Sequence, residues 1–169
     1  MRKSKLFKAA VVLAVLLFAG GFVFAADVTI TGTVGGHVSL SFGATTIGLG
    51  NLVSGVQSSD SVSITEQSNQ AGYDVFVQSA QGFNLKLLDG TNYSTETGDT
   101  VLIPYTIAYG ESGSLANYSP TGTSPFQITT DGPKANQGIT KEFHVYATSN
   151  NQDTAGNYQD DLTFTISNN

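Results

Sequence analysis

The chain has 169 residues, with 13 acidic and seven basic side chains, a formal net charge of −6 and no cysteine. That balance offers no basic surface for nucleic acid. It also excludes disulfides, a thiol nucleophile and thiolate metal ligands.

Residues 1–25 read as a secretory signal peptide. Arg2, Lys3, Lys5 and Lys8 open it, Ala9 to Ala19 is apolar, and Val23-Phe24-Ala25 provides a cleavage site before Ala26. The apolar run of about 11 residues is short of the ~20 needed to span a bilayer, so no stable membrane anchor is expected after cleavage. Export through the general secretory pathway follows as an expectation. Cleavage leaves 144 residues, enough for one domain with a core of ordinary size. Four of the seven basic residues leave with the leader, so Lys86, Lys134 and Lys141 face all 13 acids at a net −10. That acidity favours solubility and disfavours anionic membrane surfaces.

The segment 26–36 reads as an N-terminal arm with a hinge. In Asp27 to Val34, Val28, Ile30, Gly32 and Val34 share one face and three threonines share the other. Gly35-Gly36 then interrupts the pattern. Residues 37–169 read as the body. Val38, Leu40 and Phe42 point inward from the next strand, and a looser glycine-rich region carries Ile47, Leu49 and Leu52. Strands are expected around Ser61 to Thr65 and Tyr73 to Val77. Phe83, Leu85 and Leu87 alternate up to Asp89-Gly90, a hairpin signal. Val101 to Tyr109 is the strongest internal strand, and Pro104 on its outer face predicts an edge or a bulge there. Gly110 to Pro125 reads as a polar loop, followed by a short strand from Phe126 to Thr130 and a turn at Asp131-Gly132-Pro133. No segment of the mature chain sustains a 3.6-residue apolar period. About nine short strands separated by turn signals predict an all-β, antiparallel β-sandwich.

The closing stretch, Lys141 to Ser167, reads as two strands joined by a polar loop. Phe143, Val145 and Ala147 share a face of the first, and Leu162, Phe164 and Ile166 share a face of the second. The second strand needs a neighbour on each side to avoid being an open edge.

Chemistry-bearing constellations are sparse. His37 and His144 have no spaced partner for catalysis or metal binding, and both read as surface strand residues. No serine sits in a nucleophile elbow, and no glycine cluster precedes a helix. Asp153, Asp160 and Asp161 form an acidic group without a calcium-loop pattern. No catalytic residue, metal or cofactor is therefore assigned. Asn92-Tyr93-Ser94 and Asn117-Tyr118-Ser119 match the glycosylation pattern. Tyr93 and Tyr118, read as loop residues, are the best candidates for a sugar-binding face.

The ending Phe143-x-Val145-Tyr146, a loop, then Ala155-Gly156-x-Tyr158-x-Asp160-x-Leu162-Thr163-x-Thr165-Ile166 resembles the spore coat protein U domain, a relative of archaic chaperone–usher pilus subunits. Ile103 to Tyr109 resembles the family's central strand, and Phe42-Gly43 its early Phe-Gly. Many of these domains carry cysteines, so the resemblance is to a cysteine-free relative. It implies an immunoglobulin-like sandwich lacking one strand, completed by a donor strand. The implied partners are a second copy of the chain, head to tail, and in transit through the periplasm a chaperone and an usher. Asp160 is implied to order the strand entrance.

Donor-strand insertion would be β-augmentation, with main-chain bonds along an edge and alternate side chains in pockets. Val28, Ile30 and Val34 would each contribute roughly 1.5–3 kcal/mol on burial. Their sum is comparable to a domain's whole stability of ~5–15 kcal/mol. Two functions remain open at this point. One is a subunit of a pilus-like fibre or surface coat. The other is a monomeric sandwich that folds the arm into its own body and serves as an adhesion or carbohydrate-binding module.

Overall fold

The computed structural model describes residues 36–168. The proposed leader and the arm residues Val28, Ile30, Gly32 and Val34 lie outside the described residues. The described chain is all-β and antiparallel, with eleven strands and one short 3-10 turn at Asp99–Val101. The strands are β1 (Val38–Phe42), β2 (Gln57–Ser68), β3 (Tyr73–Ser79), β4 (Asn84–Asp89), β5 (Asn92–Tyr93), β6 (Leu102–Glu111), β7 (Ser114–Tyr118), β8 (Phe126–Gly132), β9 (Ala135–Thr148), β10 (Tyr158–Gln159) and β11 (Leu162–Asn168).

They form two sheets. The larger runs β1-β2-β9-β6-β4-β10, with β5 paired to β4 and β7 paired to β6. The smaller runs β11-β3-β8. Alternation explains the layering. Val62 and Ile64 from β2, Ile103, Tyr105 and Ile107 from β6, and Phe143, Val145 and Ala147 from β9 are buried against Tyr73, Val75 and Val77 of β3. The rings of Phe143 and Phe164 meet edge to face at 5.0 Å, joining the two layers.

Four expectations are revised. β6 is interior to its sheet, although it contains Pro104. Tyr105 donates its N–H to Phe83 O on the β4 side, so the proline nitrogen faces β9, and the β6–β9 ladder begins only at Tyr105↔Ala147. The proline thus sits where a ladder ends. The stretch read as a loop from Gly110 holds β7, joined to β6 by a two-residue turn at Ser112-Gly113, with Gly113 at φ 81. Tyr93 and Tyr118 consequently lie on strands. Finally, β9 and β11 do not pair: they belong to different sheets, and residues 149–161 cross between them. The Asp89-Gly90 hairpin forms as expected, with Asp89↔Asn92 closing a turn at Gly90-Thr91.

A polar cluster lies inside the sandwich. Glu66 continues the inward face of Val62 and Ile64 and is fully buried. Lys141 Nζ lies 2.7 Å from its carboxylate. Tyr73 and Tyr109 donate their hydroxyls to it at 2.9 and 2.7 Å, and Thr129 donates at 2.7 Å. Lys141 also reaches Thr129 at 3.0 Å and lies 5.2 Å from the centre of the Tyr109 ring. Burial opposes the Glu66 charge, but the Lys141 ion pair and the Tyr109 and Thr129 bonds outweigh it and hold the carboxyl below the ordinary range. Burial, and then the bonds to Glu66, push both tyrosine hydroxyls upward, so they remain donors.

Candidate functional site: an open cleft between the sheets

β1 ends one sheet and β11 ends the other. Among the described residues, nothing pairs with the outer edge of either. The register of β11 on β3 shows what that edge presents. Ala80 donates to Asp161 O, so Asp161 is a hydrogen-bonded position, and Thr163, Thr165 and Ser167 follow it by alternation. The backbone N–H and C=O groups of Leu162, Phe164 and Ile166 therefore face the open side. The side chains of the same three residues turn toward the core and remain only half-buried.

Phe42, at the end of β1, faces β11 across this gap. Its ring lies 5.3 Å from that of Phe164 and is 41% exposed, which is high for a phenylalanine on an inward face. A cleft of about 1320 Å³ opens beside the pair. Val62, Ile103 and Val145 form its floor, and Leu162 and Phe164 one wall; the segments 44–54 and 149–161 border it. A cleft with an apolar floor, a polar rim and a strand edge that has no partner among the described residues can accept an extended peptide.

The residues of the ending motif build the rim of this cleft. Asp160 accepts from Ser79 Oγ at 2.5 Å, from the Gln81 N–H at 3.0 Å and from the Tyr105 hydroxyl at 2.6 Å. It thereby ties the start of β11 to the end of β3 and to β6. Burial, then the bond to Asp160, raises the Tyr105 hydroxyl's pKa, so it stays a donor. Gly156 passes close to Leu87: a Cβ there would lie 2.5 Å from Leu87 Cδ1. Tyr158 donates to Thr154 O at 2.6 Å and to Thr100 O at 3.2 Å, fastening the crossing segment as β10 pairs with β4. Ala155 lines the cleft beside them.

Other singled-out residues have structural partners. Tyr93 donates to Asp161 at 2.7 Å, and burial, then that bond, pushes its pKa up to about 12. Tyr118 packs edge to face on Phe126 at 5.4 Å. Both rings are half-buried. His144 bonds Glu142 at 3.1 Å and stacks on Tyr146, while His37 is exposed. Asp153 accepts from the Asn150 N–H and caps the crossing loop. The Glu66–Lys141 pair was missed from sequence; the inward parity of both residues was the available signal.

The fold is that of an all-β, antiparallel, two-sheet protein. No family model matches the chain, and no curated protein matches it. Among solved structures, the chain is similar to one described as a chaperone–tip adhesin complex in the biogenesis of CFA/I fimbriae. The likeness has 14% identity and a TM-score of 0.48, over 78% of this chain and 41% of that chain. The chain thus spans about two fifths of that chain's length. Among the described residues, no helix is long and apolar enough to cross a membrane.

Proposed function

We propose that the chain is an exported, non-enzymatic structural subunit of a pilus-like fibre or surface coat, assembled when the arm of one copy enters the cleft of the next. The observation that carries this reading is the edge of β11, without a partner among the described residues, beside a cleft that has an apolar floor and is bordered by Phe42 of β1. The arm offers what the trench lacks: alternating apolar side chains at Val28, Ile30 and Val34 and an extended backbone for the edge of β11. Insertion of one copy into the next does not close on itself, so it builds a filament. A chaperone and an usher are the partners such a subunit would use before assembly.

A second occupant has an observation of its own. Gly36 sits beside Asn168, since a Cβ at Gly36 would lie 3.2 Å from that side chain. An arm reversing at Gly35-Gly36 would enter its own cleft from that end, giving a self-completed monomer. The bonded Tyr93 and the packed Tyr118 weigh against a tyrosine sugar platform for that monomer.

The test is the size of the purified protein in solution and on unheated denaturing gels. A ladder of multiples that collapses on heating and disappears in Val28→Asp/Ile30→Asp supports assembly by strand exchange. A single monomer species with one cooperative melt overturns it in favour of self-completion.

A further inference from the structure

The segment between β1 and β2 covers part of the cleft in an unusual way. Ile47 and Leu49, two residues apart, are half-buried against the core and line the cleft, and Leu52 joins them. The spacing of the first pair is that of alternate residues on a strand. Yet the segment makes no ladder with either neighbouring edge. It is tied at its ends, where Gly43 donates to Ser63 O at 2.8 Å and Gly55 donates to Ser149 O at 2.9 Å. Between them, among the described residues, the one bond from 44–52 is the Gly48 N–H to Asp60 Oδ2 at 2.8 Å.

The outer side of the segment is bare. A Cβ added at Gly48 or Gly50 would meet nothing within 4 Å. Among the described residues, no atom approaches those two positions. Asp60 occupies an inward position of β2, opposite Val145, and is nevertheless exposed, because the sandwich is open at that level.

We propose that residues 44–52 are a displaceable placeholder: Ile47, Leu49 and Leu52 shield the trench until an extended strand replaces them. This inference rests on the donor-strand reading above. The placeholder supplies apolar side chains but, among the described residues, leaves the backbone groups of Leu162, Phe164 and Ile166 without partners. A donor strand supplies both, so the exchange has a direction. The placeholder protects an unassembled subunit from indiscriminate edge pairing, and it lowers the apparent affinity of any donor by the fraction of chains in which it is seated.

The test uses the whole chain carrying Val28→Asp/Ile30→Asp, so that its own arm cannot compete. A fluorescent peptide of sequence Asp27 to Val34 is titrated by anisotropy. Adding Ile47→Ser/Leu49→Ser should tighten binding and speed uptake by about tenfold, from the half-burial of two large side chains no longer to be undone. Asp60→Ala, an exposed change that removes the acceptor of the Gly48 N–H, should shift both in the same direction and guards against a folding failure of the serine variant. Peptide binding that is equal or weaker in both variants overturns the placeholder while leaving the donor-strand reading intact. Peptide binding by neither the parent nor the variants overturns both.

Discussion

Lys141→Met is the sharpest test of what holds the sandwich together. The substitution keeps a long apolar stem and removes only the ammonium group. It leaves Glu66 fully buried, with Tyr73, Tyr109 and Thr129 as donors but no positive charge. At 2.7 Å, the ion pair is worth about 6 kcal/mol at an effective dielectric of ~20. Desolvation offsets part of that in the intact protein, but the variant keeps the desolvation and loses the attraction. The expected loss is therefore about 3–5 kcal/mol. Urea unfolding, followed by far-ultraviolet circular dichroism and tyrosine fluorescence, should show a midpoint lower by about 2 M.

The pH dependence gives an independent readout. The folded Glu66 carboxyl lies below its unfolded value, so its contribution is fully present above the unfolded value, about 4.3, and is lost as pH falls through the folded one. The parent should therefore have an acid-labile limb below that pH. Without Lys141, where burial outweighs the remaining hydrogen bonds, the Glu66 contribution should reverse, stability being gained as pH falls through its raised folded value. Glu66→Gln/Lys141→Met, which removes both charges and keeps an acceptor for the hydroxyls of Tyr73, Tyr109 and Thr129, should recover part of the loss. A single variant that costs under ~1 kcal/mol and keeps the parent's acid limb would refute the reasoning.

Three further outcomes are expected. Asp160→Ala removes the acceptor for Ser79, Gln81 and Tyr105 and should cost about 2–4 kcal/mol in a thermal melt, with faster amide exchange across Leu162–Ile166. Gly132→Ala places a Cβ 2.3 Å from Tyr73 Cζ and should cost about 1–3 kcal/mol by urea titration, because a buried ring must move off Glu66. Phe42→Asp alters a 41% exposed ring at the cleft, so the monomer's melting temperature should barely change while the ladder on unheated gels is lost; a full ladder would remove Phe42 from the assembly surface.

Much of the architecture was readable because a strand's period of two survives in sequence. Val62, Ile64, Phe143, Val145 and the residues of β11 all face the way their alternation says. Pairing was less readable. The closing stretch resembled two consecutive strands, but β11 joins β3 and leaves β9 to the other sheet. Alternation specifies a face and says nothing of the neighbour. β7 escaped notice because Ser114, Ala116 and Asn117 carry no apolar rhythm, and it forms by completing the edge of β6. Glu66 and Lys141 shared the parity of core residues, but their charges read as solvated, since only the fold brings together residues from strands so distant in sequence. At the rim, Asp160 was legible through the ending motif, whereas its three donors come from β6 and the end of β3.

The position of β11 also sets an order of events in folding. The β4–β5 and β6–β7 connections are short, and loop-closure entropy favours such local pairings early. β3 is different. Its inward residues Tyr73, Val75 and Val77 are fully buried, and Val75 finds its β11 partner only at Ile166, 91 residues along the chain. One flank of a strongly apolar strand therefore waits for a partner far along the chain, as β2 does for β9, where Gln57 meets Thr148. The strand that closes the smaller sheet has, among the described residues, no partner on its far edge. The long-range pairing that completes the smaller sheet and the edge without a partner among the described residues are two sides of one seven-residue strand.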